Sequence, residues 1–512
     1  MAITKFLLPL LAAAGSAIAA DLPPIQIKGS KFFYENGTQF FIKGVAYQQD
    51  SSPGGSTAST DTTYTDPLSS QDNCERDVPL LQELRANVIR TYQVDPKGDH
   101  KACMNLLNDA GIYVISDLAN PDESINREDP AWTTELYDHY AQVIDNFSQY
   151  PNVIGFFVGN EVTNNGSNTD ASAYVKAAAR DMKKYIKDKG YKNLAVGYAA
   201  DDTSDLRDNI ANYFNCGDEA ESVDFFGYNV YEWCGDSNFE TSGYNRILEF
   251  FKSYSIPVFF AEYGCNTVDG GAGRTFTETP AIYAENMSQV LSGGIVYEYF
   301  QAKRDYGLVE LSGDKATKMK DFAAFQKQIA KVDPKGVSMS DYSPSNKPRD
   351  CPKVNSTWES SSTLPPTPNK DACSCMVKAA SCVPAKDLDP SGYETMFNYI
   401  CGNDKKACAG INGDTSKGEY GAYSMCADKD KLAYVLNAYY ADQNQASDAC
   451  DFDGNATTQT PDGKISSCDK LAKTQPSNNG SDGDSAAVPS AIAGGSQLYT
   501  FLALSSIAMI FL

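Results

Sequence analysis

The run Val153-Ile154-Gly155-Phe156-Phe157-Val158-Gly159-Asn160-Glu161 is apolar almost throughout and ends in an amide and a carboxylate. A short apolar run of this length is typical of a strand that is buried on both faces of a parallel sheet. Similar runs recur along the chain, and together they predict eight strands. These are Phe40–Ala46, Asn87–Val94, Tyr113–Leu118, Val153–Gly159, Leu194–Ala199, Asp224–Val230, Pro257–Glu262 and Gly294–Phe300.

Segments of helical character separate these strands. In Ala171–Lys189 the apolar residues keep helical spacing and the charged residues occupy the other face. Eight strands that alternate with helices over roughly 300 residues fit a (β/α)8 TIM barrel better than an open, doubly wound sheet. No Gly-rich phosphate loop follows the first strand, which argues against a dinucleotide site. The other predicted helices are Arg76–Leu84, Thr134–Phe147, Tyr244–Tyr254 and Ala281–Leu291.

The cysteines are distributed unevenly. Of 14 cysteines, six lie in residues 1–351 and eight lie between Cys373 and Cys468. A density of about 8% is typical of a small disulfide-stabilised module. Zinc binding is the alternative for Cys373-Ser374-Cys375, but the usual zinc spacing is C-x₂₋₄-C. The predicted fold class is therefore α/β, a (β/α)8 TIM barrel followed by a small, disulfide-rich, mainly α module.

Both ends of the chain carry targeting patterns. Residues 1–19 combine Lys5, an apolar run and Ala17-Ile18-Ala19. This is the pattern of a secretory signal peptide, and the alternative is a buried N-terminal helix. Residues 498–512 form an uncharged, mostly apolar tail that is shorter than the ~20 residues of a spanning helix. The small polar residues before this tail favour a GPI-anchor signal over a transmembrane tail.

These patterns predict the boundaries of the domains. A barrel domain at 20–343 follows the signal peptide, and a Pro/Ser/Thr-rich linker at 344–371 is expected to bury no core. The cysteine-rich module spans 372–468, and a disordered Ser/Gly-rich stalk at 469–497 precedes the anchor signal.

The composition excludes several classes of function. A net charge of −23 argues against a nucleic-acid partner, because phosphate binding needs an excess of Lys and Arg. Two histidines cannot supply a His-rich metal centre, and we expect neither a metal nor a cofactor. Because a secreted chain can be N-glycosylated, we expect glycans at some of its seven sequons. These are Asn36, Asn146, Asn165, Asn286, Asn355, Asn455 and Asn479.

Polar residues follow the predicted strands, where a barrel places its functional side chains. Glu161 follows the fourth strand and Glu262 ends the seventh. Two carboxylates with unequal pKa values are what acid–base cleavage of a glycosidic bond requires. For one isolated acid the alternative is a surface loop or an ion pair. The Asn160-Glu161 pair together with Glu262 favours catalysis, and the remaining rim of Tyr, Asp and Gln suits a sugar substrate.

Several motifs resemble one family. Gly159-Asn160-Glu161 and Phe260-Ala261-Glu262-Tyr263-Gly264-Cys265-Asn266 look like the strand 4 and strand 7 motifs of a clan of (β/α)8 retaining glycosidases. More narrowly, the chain resembles the fungal β-1,3-glucanosyltransferases of glycoside hydrolase family 72. This resemblance covers residues 20–345. It continues through the cysteine-rich module, which is similar to the X8 domain (carbohydrate-binding module family 43). The narrowing motifs are Tyr47-Gln48, Arg90-Thr91-Tyr92, Ser116-Asp117-Leu118, Tyr231-Glu232-Trp233-Cys234-Gly235 and Gly293-Gly294-Ile295-Val296-Tyr297-Glu298-Tyr299.

The resemblance implies a role for each matching residue. Glu161 corresponds to the acid/base and Glu262 to the nucleophile, with Asn160 binding the sugar 2-hydroxyl. Tyr299 is an alternative to Tyr297, and Tyr231 with Trp233 are candidates for an acceptor platform. The residues that match the glucan subsites are Tyr92, Asp202, Arg207, Tyr231 and Tyr297, with Gln48 and Asp117 as weaker neighbours.

The resemblance also implies disulfide pairs. In the barrel domain these are Cys74–Cys103, Cys216–Cys351 and Cys234–Cys265. In the module they are Cys373–Cys426, Cys375–Cys468, Cys382–Cys450 and Cys401–Cys408.

The implied activity is retaining transfer between β-1,3-glucan chains, which serve as donor and acceptor. We expect a monomer that is secreted and held by a GPI anchor at the outer face of the plasma membrane and in the cell wall. Two alternatives stay open: an endo-β-1,3-glucanase that hydrolyses, and a non-catalytic protein that binds wall glucan.

Overall fold

The barrel is closed and parallel in the computed structural model, which describes residues 21–49, 64–268 and 270–473. Its eight strands are hydrogen-bonded in the circular order β4-β5-β6-β7-β8-β9-β10-β11. The predicted (β/α)8 fold is thereby confirmed. The strands are β4 (Ile42–Ala46), β5 (Val88–Thr91), β6 (Tyr113–Asp117), β7 (Val153–Asn160), β8 (Ala195–Ala200), β9 (Phe225–Asn229), β10 (Val258–Tyr263) and β11 (Gly293–Val296).

Helices surround the barrel, and three of the five predicted helices begin at the predicted residue. The helices at 134–147 and 171–189 have the predicted bounds, whereas the predicted helix Ala281–Leu291 is replaced by two short helices. The helices are α1 (Gln71–Glu83), α2 (Lys101–Asp109), α3 (Thr134–Phe147), α4 (Ala171–Lys189), α5 (Arg207–Phe214), α6 (Tyr244–Phe251), α7 (Glu278–Ile282), α8 (Glu285–Ser288) and α9 (Lys320–Ile329). A small hairpin, β12 (Val309–Ser312) with β13 (Lys315–Lys318), precedes α9.

A three-stranded antiparallel sheet closes the N-terminal end of the barrel. It consists of β1 (Ile25–Lys28), β2 (Lys31–Tyr34) and β3 (Gln39–Phe40). Phe32 packs against Phe225 and Phe259 of the barrel interior, with ring centroids 6.1 and 6.2 Å apart. The opposite end, where the strands finish, is left for the functional site.

The module beyond residue 369 is mainly helical. Its helices are α10 (Lys370–Ala379), α11 (Tyr393–Asn403), α12 (Asp428–Asp442) and α13 (Ile465–Lys473). Two short antiparallel pairs complete it: β14 (Cys382–Pro384) with β17 (Ala456–Thr458), and β15 (Gly413–Asp414) with β16 (Glu419–Tyr420).

The segment 344–371, called here the strap, differs from the expected coreless linker. Trp358 is fully buried and packs on Tyr213, with ring centroids 5.3 Å apart. Ser360 is also buried, and its hydroxyl donates to the carbonyl of Thr169 over 2.7 Å. The composition predicted a polar tether because one tryptophan among many Ser, Thr and Pro residues gives no periodic signal. The strap instead packs along the outside of the barrel.

The strap also leads into the module. The Thr415 hydroxyl donates to the Glu359 carbonyl at 2.8 Å. A direct contact joins the module to the barrel, where the Thr134 amide donates to the Met425 carbonyl at 2.9 Å. The signal peptide, most of the stalk and the anchor signal lie outside the described residues, and among those described no helix has the length and apolar character needed to span a bilayer.

All 14 cysteines form disulfides. The pairs are the seven that the family resemblance implies. Three lie in the barrel domain, one of them between Cys216 and the strap residue Cys351, and four lie in the module.

Candidate active site

The two candidate catalytic carboxylates lie at the C-terminal mouth of the barrel, and both are 4% exposed. Glu262 lies near the end of β10, and Glu161 directly follows β7. The backbone of Glu161 has a φ of 49°, a left-handed conformation that is uncommon for residues other than glycine and that clusters at functional sites. This turn ends β7 and leaves the Glu161 carboxylate at the mouth of the barrel.

Glu262 is surrounded by donors. The hydroxyls of Tyr92 and Tyr231 donate to its two carboxylate oxygens over 2.9 and 2.7 Å. The Arg90 guanidinium, fully buried, lies 3.4 Å from the Glu262 carboxylate and binds Asp117 through two 3.0 Å hydrogen bonds. Burial holds the pKa of Glu262 above its usual value, and Arg90 and the two tyrosine hydroxyls limit the rise. These partners stabilise the ionised carboxylate.

Glu161 has fewer donors. Asn229, at the end of β9, donates to its carboxylate over 2.7 Å. Burial raises the pKa of Glu161 well above its usual range, and the negative charges of Glu262 and Asp201 raise it further. Asn229 and Arg90 oppose this shift only in part. The mouth therefore holds one carboxyl group that favours its protonated form beside one that is stabilised as a carboxylate, the arrangement of a general acid and a nucleophile.

Asn160 has a fixed amide orientation. Its carbonyl oxygen accepts from Arg90 at 2.9 Å and from Asn229 at 3.1 Å. Its Nδ2 group is buried and has no hydrogen-bond partner among the described residues. A buried donor without a partner costs free energy unless a ligand satisfies it. Asn160 thus presents a free N–H donor beside Glu161.

Aromatic side chains form one wall of the mouth. Tyr297 lies edge-on to Tyr92, Tyr231 and Tyr306, with ring centroids 6.1, 6.4 and 5.4 Å apart. The Tyr297 hydroxyl donates to the side chain of Gln48 at 3.3 Å. The structure therefore brings these predicted residues together with the two carboxylates.

Other candidates lie elsewhere. Asp202 and Arg207 form an ion pair of 2.8 Å on the rim, and the Tyr228 hydroxyl donates to the same Asp202 oxygen. Tyr299, the alternative to Tyr297, is fully buried and binds Asp77 at 2.8 Å.

Trp233 is not part of an open platform. Only 8% of it is exposed, and it packs on Tyr244 while its indole N–H donates to Thr277. Tyr231, two residues earlier, does reach the mouth, where its hydroxyl donates to Glu262.

Sequence reasoning gave no role to three residues of the site: Arg90, Asn229 and Tyr306. Arg90 lies in the Arg90-Thr91-Tyr92 motif, and Asn229 ends β9 two residues before the motif that begins at Tyr231. Tyr306 lies in a loop that no pattern distinguishes. No cluster of His, Cys, Asp and Glu side chains suited to a metal ion occurs in the part of the chain that the structure describes.

Comparison with known proteins agrees with this geometry. The glucanosyltransferase family model, of glycoside hydrolase family 72, matches residues 14–333, and the X8 domain model matches residues 380–457. The chain belongs to this glucanosyltransferase family. Within the family, it is 52% identical to a 1,3-beta-glucanosyltransferase of Arthroderma benhamiae, over 90% of this chain and 87% of that protein. It is 44% identical to 1,3-beta-glucanosyltransferase gas1 of Schizosaccharomyces pombe, over 91% and 84% of the two chains.

Solved structures of family members have the same fold. The apo structure of a Saccharomyces cerevisiae Gas2p mutant gives a TM-score of 0.79 at 38% identity, over 90% of this chain and 99% of that chain. A second Gas2p structure, in complex with laminaritetraose and laminaripentaose, gives a TM-score of 0.78 at 39% identity, over 88% and 99%. The glucanosyltransferase described here therefore shares both domains with structurally characterised relatives.

Proposed function

We propose that the chain is a retaining β-1,3-glucanosyltransferase. It cleaves an internal linkage of one β-1,3-glucan and joins the new reducing end to the non-reducing end of another, which elongates cell-wall glucan. The observation that carries this proposal is the pair of buried carboxyl groups at the barrel mouth, of which Glu262 has three donors and Glu161 has one amide donor. The names of the relatives and the laminari-oligosaccharides bound to Gas2p support the substrate class.

In the first step the Glu262 carboxylate attacks the anomeric carbon of a β-1,3-linked glucosyl unit. The bond between that carbon and the glycosidic oxygen breaks, and Glu161 gives its proton to the leaving oxygen. Arg90, Tyr92 and Tyr231 hold the nucleophile as an oriented carboxylate. The fragment that carried the old reducing end departs, leaving a glycosyl ester on Glu262.

In the second step the 3-hydroxyl of an acceptor glucan attacks the same carbon from the face that the first fragment vacated. Glu161, now ionised, takes the hydroxyl proton, and the ester bond to Glu262 breaks. One linkage is lost and one is formed, both β, and no cofactor is consumed. We assign the unpartnered Asn160 N–H to the sugar 2-hydroxyl in both steps.

The aromatic wall supports a glucan substrate, because sugar C–H faces stack on aromatic rings and the hydroxyls bind to Tyr, Asn and Gln. We assign the donor chain to Tyr92, Tyr297, Gln48 and Asp117. The Asp202–Arg207 pair and Tyr231 follow β8 and β9, the two strands between those that carry Glu161 and Glu262, and we assign them to the acceptor. Holding an acceptor sugar in attack geometry lets it compete with water.

The length of the products tests the proposal. Purified protein is incubated with a reduced laminari-oligosaccharide of one defined length, and the products are separated by size. We expect products longer than the donor in addition to shorter ones. If only shorter products accumulate at every donor concentration, the protein is an endo-β-1,3-glucanase that hydrolyses.

A non-catalytic glucan-binding role is tested in the same assay. The variants E161Q and E262Q keep the size of each side chain and should remove nearly all turnover while the fold is retained. Full activity in both variants would support the non-catalytic interpretation and contradict ours.

We also propose that the protein acts as a monomer outside the cell, anchored by GPI at the plasma membrane and the wall. The seven disulfides support an oxidising compartment, and one chain supplies every residue of the site. Exposed sequons at Asn36, Asn165, Asn286, Asn355 and Asn455 support glycosylation, and Asn479 lies outside the described residues.

A further inference from the structure

A third carboxylate, Asp201, faces the barrel mouth. Along β8 the side chains alternate: Tyr198 and Ala200 pack between the strands and the surrounding helices, whereas Ala199 packs inside the barrel. Continuing this alternation by one residue places Asp201 on the interior side of the strand end. It is the next residue, Asp202, that belongs to the rim pair with Arg207.

Asp201 lies beside the acid/base because the two loops that carry them are tied together. The Glu161 amide donates to the Ala199 carbonyl at 2.9 Å. The Thr203 hydroxyl contacts both loops: it lies 3.2 Å from the carbonyl of Asn164 and within hydrogen-bond distance of Asp201 Oδ2. These contacts fix Asp201 against the turn in which Glu161 lies.

The burial of Asp201 is unusual for a surface-loop acid. Only 9% of the residue is exposed, and its Oδ1 is buried without a hydrogen-bond partner among the described residues. Keeping a carboxylate with an unsatisfied oxygen in such a site costs free energy that an apolar residue would avoid. A charge retained at this cost beside catalytic groups indicates a function.

We propose that Asp201 is a positioning residue that acts through Glu161, its negative charge keeping the proton on Glu161 until the glycosidic oxygen takes it. This inference rests on the acid/base role of Glu161 in the proposed function. Asp201 does not touch the reacting atoms. Its effect passes through the electrostatic interaction between the two carboxyl groups.

The charges that face Glu161 come from several elements. Glu262 on β10 and Asp201 after β8 raise its pKa in addition to burial, and Arg90 on β5 and the amide of Asn229 on β9 lower it. Burial raises the pKa of Asp201 and the charge of Asp202 raises it further, while the Thr203 hydroxyl and the Arg127 charge limit the rise. Arg127 lies on this side because its guanidinium donates to the Glu161 carbonyl at 2.7 Å.

The role of Asp201 changes between the two steps. Once Glu262 is esterified it no longer carries a charge, so its repulsion of the Glu161 carboxylate disappears. Asp201 keeps its charge. It therefore becomes the main negative neighbour that keeps Glu161 basic enough to take the proton of the acceptor hydroxyl.

The test is the pH dependence of kcat/KM for total donor cleavage in the variant D201N. Asparagine has the size of aspartate and can still accept from Thr203. In the free enzyme the basic limb reports Glu161, and loss of the neighbouring charge should move that limb to lower pH by roughly one unit. The acid limb, which reports Glu262, should move less.

Two further variants make the outcome decisive. D205N removes the same charge from an exposed position on the same loop and should leave the basic limb in place. D201E keeps the charge and should retain the wild-type limb, even if D201N does not fold. An unmoved limb in folded D201N, or equal movement in D205N or D201E, would overturn the proposal. Wild-type product lengths test the proposed function separately, so either idea can fail without the other.

Discussion

At the scale of single residues, Arg90 connects the parts of the site. Its guanidinium is fully buried and reaches Asp117, Glu262 and the Asn160 carbonyl, which come from three different strands. Five donors in a fixed plane suit this arrangement, and a lysine ammonium cannot reproduce it. One cation thus neutralises the nucleophile and sets the orientation of the amide that faces the substrate.

The roles of the two carboxylates can be separated by rescue with azide. E161A and E262A should each lower turnover of laminari-oligosaccharides by roughly 10²–10⁴-fold. With an aryl β-laminarioside as donor, azide should enter the space of the missing nucleophile in E262A and give an α-glycosyl azide. In E161A it should attack the glycosyl ester on Glu262 and give a β-glycosyl azide.

Nuclear magnetic resonance of the azide products identifies the anomer in each case. The wild-type enzyme, which should form no azide adduct with oligosaccharide acceptors present, is the control. The same anomer from both variants would contradict the assignment of nucleophile and acid/base.

One sequon differs from the others. Asn146 is half-buried in α3, and its Nδ2 group donates to the carbonyls of Pro96 and Gly98 at 3.0 Å each. A glycan on that nitrogen would replace a hydrogen that these bonds need. We therefore expect glycopeptide mapping to find Asn146 unmodified, whereas the exposed Asn36 carries a glycan. A glycan mass on the Asn146 peptide would contradict this expectation.

Catalytic residues were easier to predict from sequence than their partners. Glu161 and Glu262 follow directly from strand ends, because the carboxyl ends of barrel strands meet at one mouth. Arg90 reaches the nucleophile only through the closure and register of the barrel, which pairs β4 with β11. Tyr306 approaches Tyr231 from a loop, at 5.6 Å between ring centroids, and no local pattern specifies such a contact.

At the scale of elements, a buried ion pair joins the loop after β10 to the start of α9. The Arg274 guanidinium donates to Asp321 at the start of α9, and it also donates to the carbonyls of Tyr297 and Tyr306. Both side chains of the pair are 1% exposed. The pair therefore holds the backbone of two residues in the aromatic wall.

Replacing Arg274 by methionine should leave Asp321 charged and buried. We expect a loss of stability of about 3–5 kcal/mol, because breaking a buried pair leaves one charge uncompensated. We also expect a higher KM for donor glucan, since Tyr297 and Tyr306 lose their support. Urea unfolding followed by fluorescence measures the first effect and initial rates measure the second.

The matched control is K335M, which removes a cation from an exposed pair with Asp333. It should leave both the unfolding midpoint and KM unchanged, because exposed pairs contribute little to stability. Equal effects of R274M and K335M would contradict the role given to the buried pair.

The accuracy of the predicted helices and strands depended on the length of the sequence pattern. The helices at 134–147 and 171–189 were found with the correct bounds because they are long and amphipathic. The hairpin sheet β1–β3 was missed because two- to four-residue strands are too short for a periodic signal. The last predicted strand continued to residue 300, whereas β11 ends at Val296, where the chain turns into the mouth.

At the scale of the whole molecule, the strap is part of the barrel domain. Trp358, Ser360 and the Cys216–Cys351 bridge attach it along α4 and α5. Composition predicted a linker without a core at 344–371, and the packing of the strap differs because one buried tryptophan outweighs the polar residues around it. The seven disulfide pairs followed from the family resemblance, since cysteine spacing alone leaves many pairings open.

Two truncations test this description of the strap. A chain that ends at residue 343 loses Trp358 and the Cys216–Cys351 bridge, and we expect it to be poorly soluble or to unfold at lower temperature. Loss of a buried tryptophan costs about 3–5 kcal/mol, and loss of the bridge costs about 2–4 kcal/mol. A chain that ends at residue 369 keeps the strap but lacks the module and everything after it, and it should keep most of the barrel's stability.

Thermal unfolding of the two chains, compared at equal concentration, gives the answer. Equal transition temperatures would mean that the strap contributes nothing to the barrel. A lower temperature for both than for the full chain would measure the additional contribution of the module's contacts, which include Thr134 with Met425 and Thr415 with Glu359.

The sheet that closes the N-terminal end of the barrel has a consequence for the traffic of polymer chains. Phe32, with Phe225 and Phe259, fills the interior beneath the site, so a glucan cannot thread through the barrel. Incoming and outgoing chains must therefore use the same opening, at the C-terminal end of the barrel. The released fragment must leave its part of this opening before an acceptor can bind there. We therefore expect an ordered exchange of chains and ping-pong kinetics.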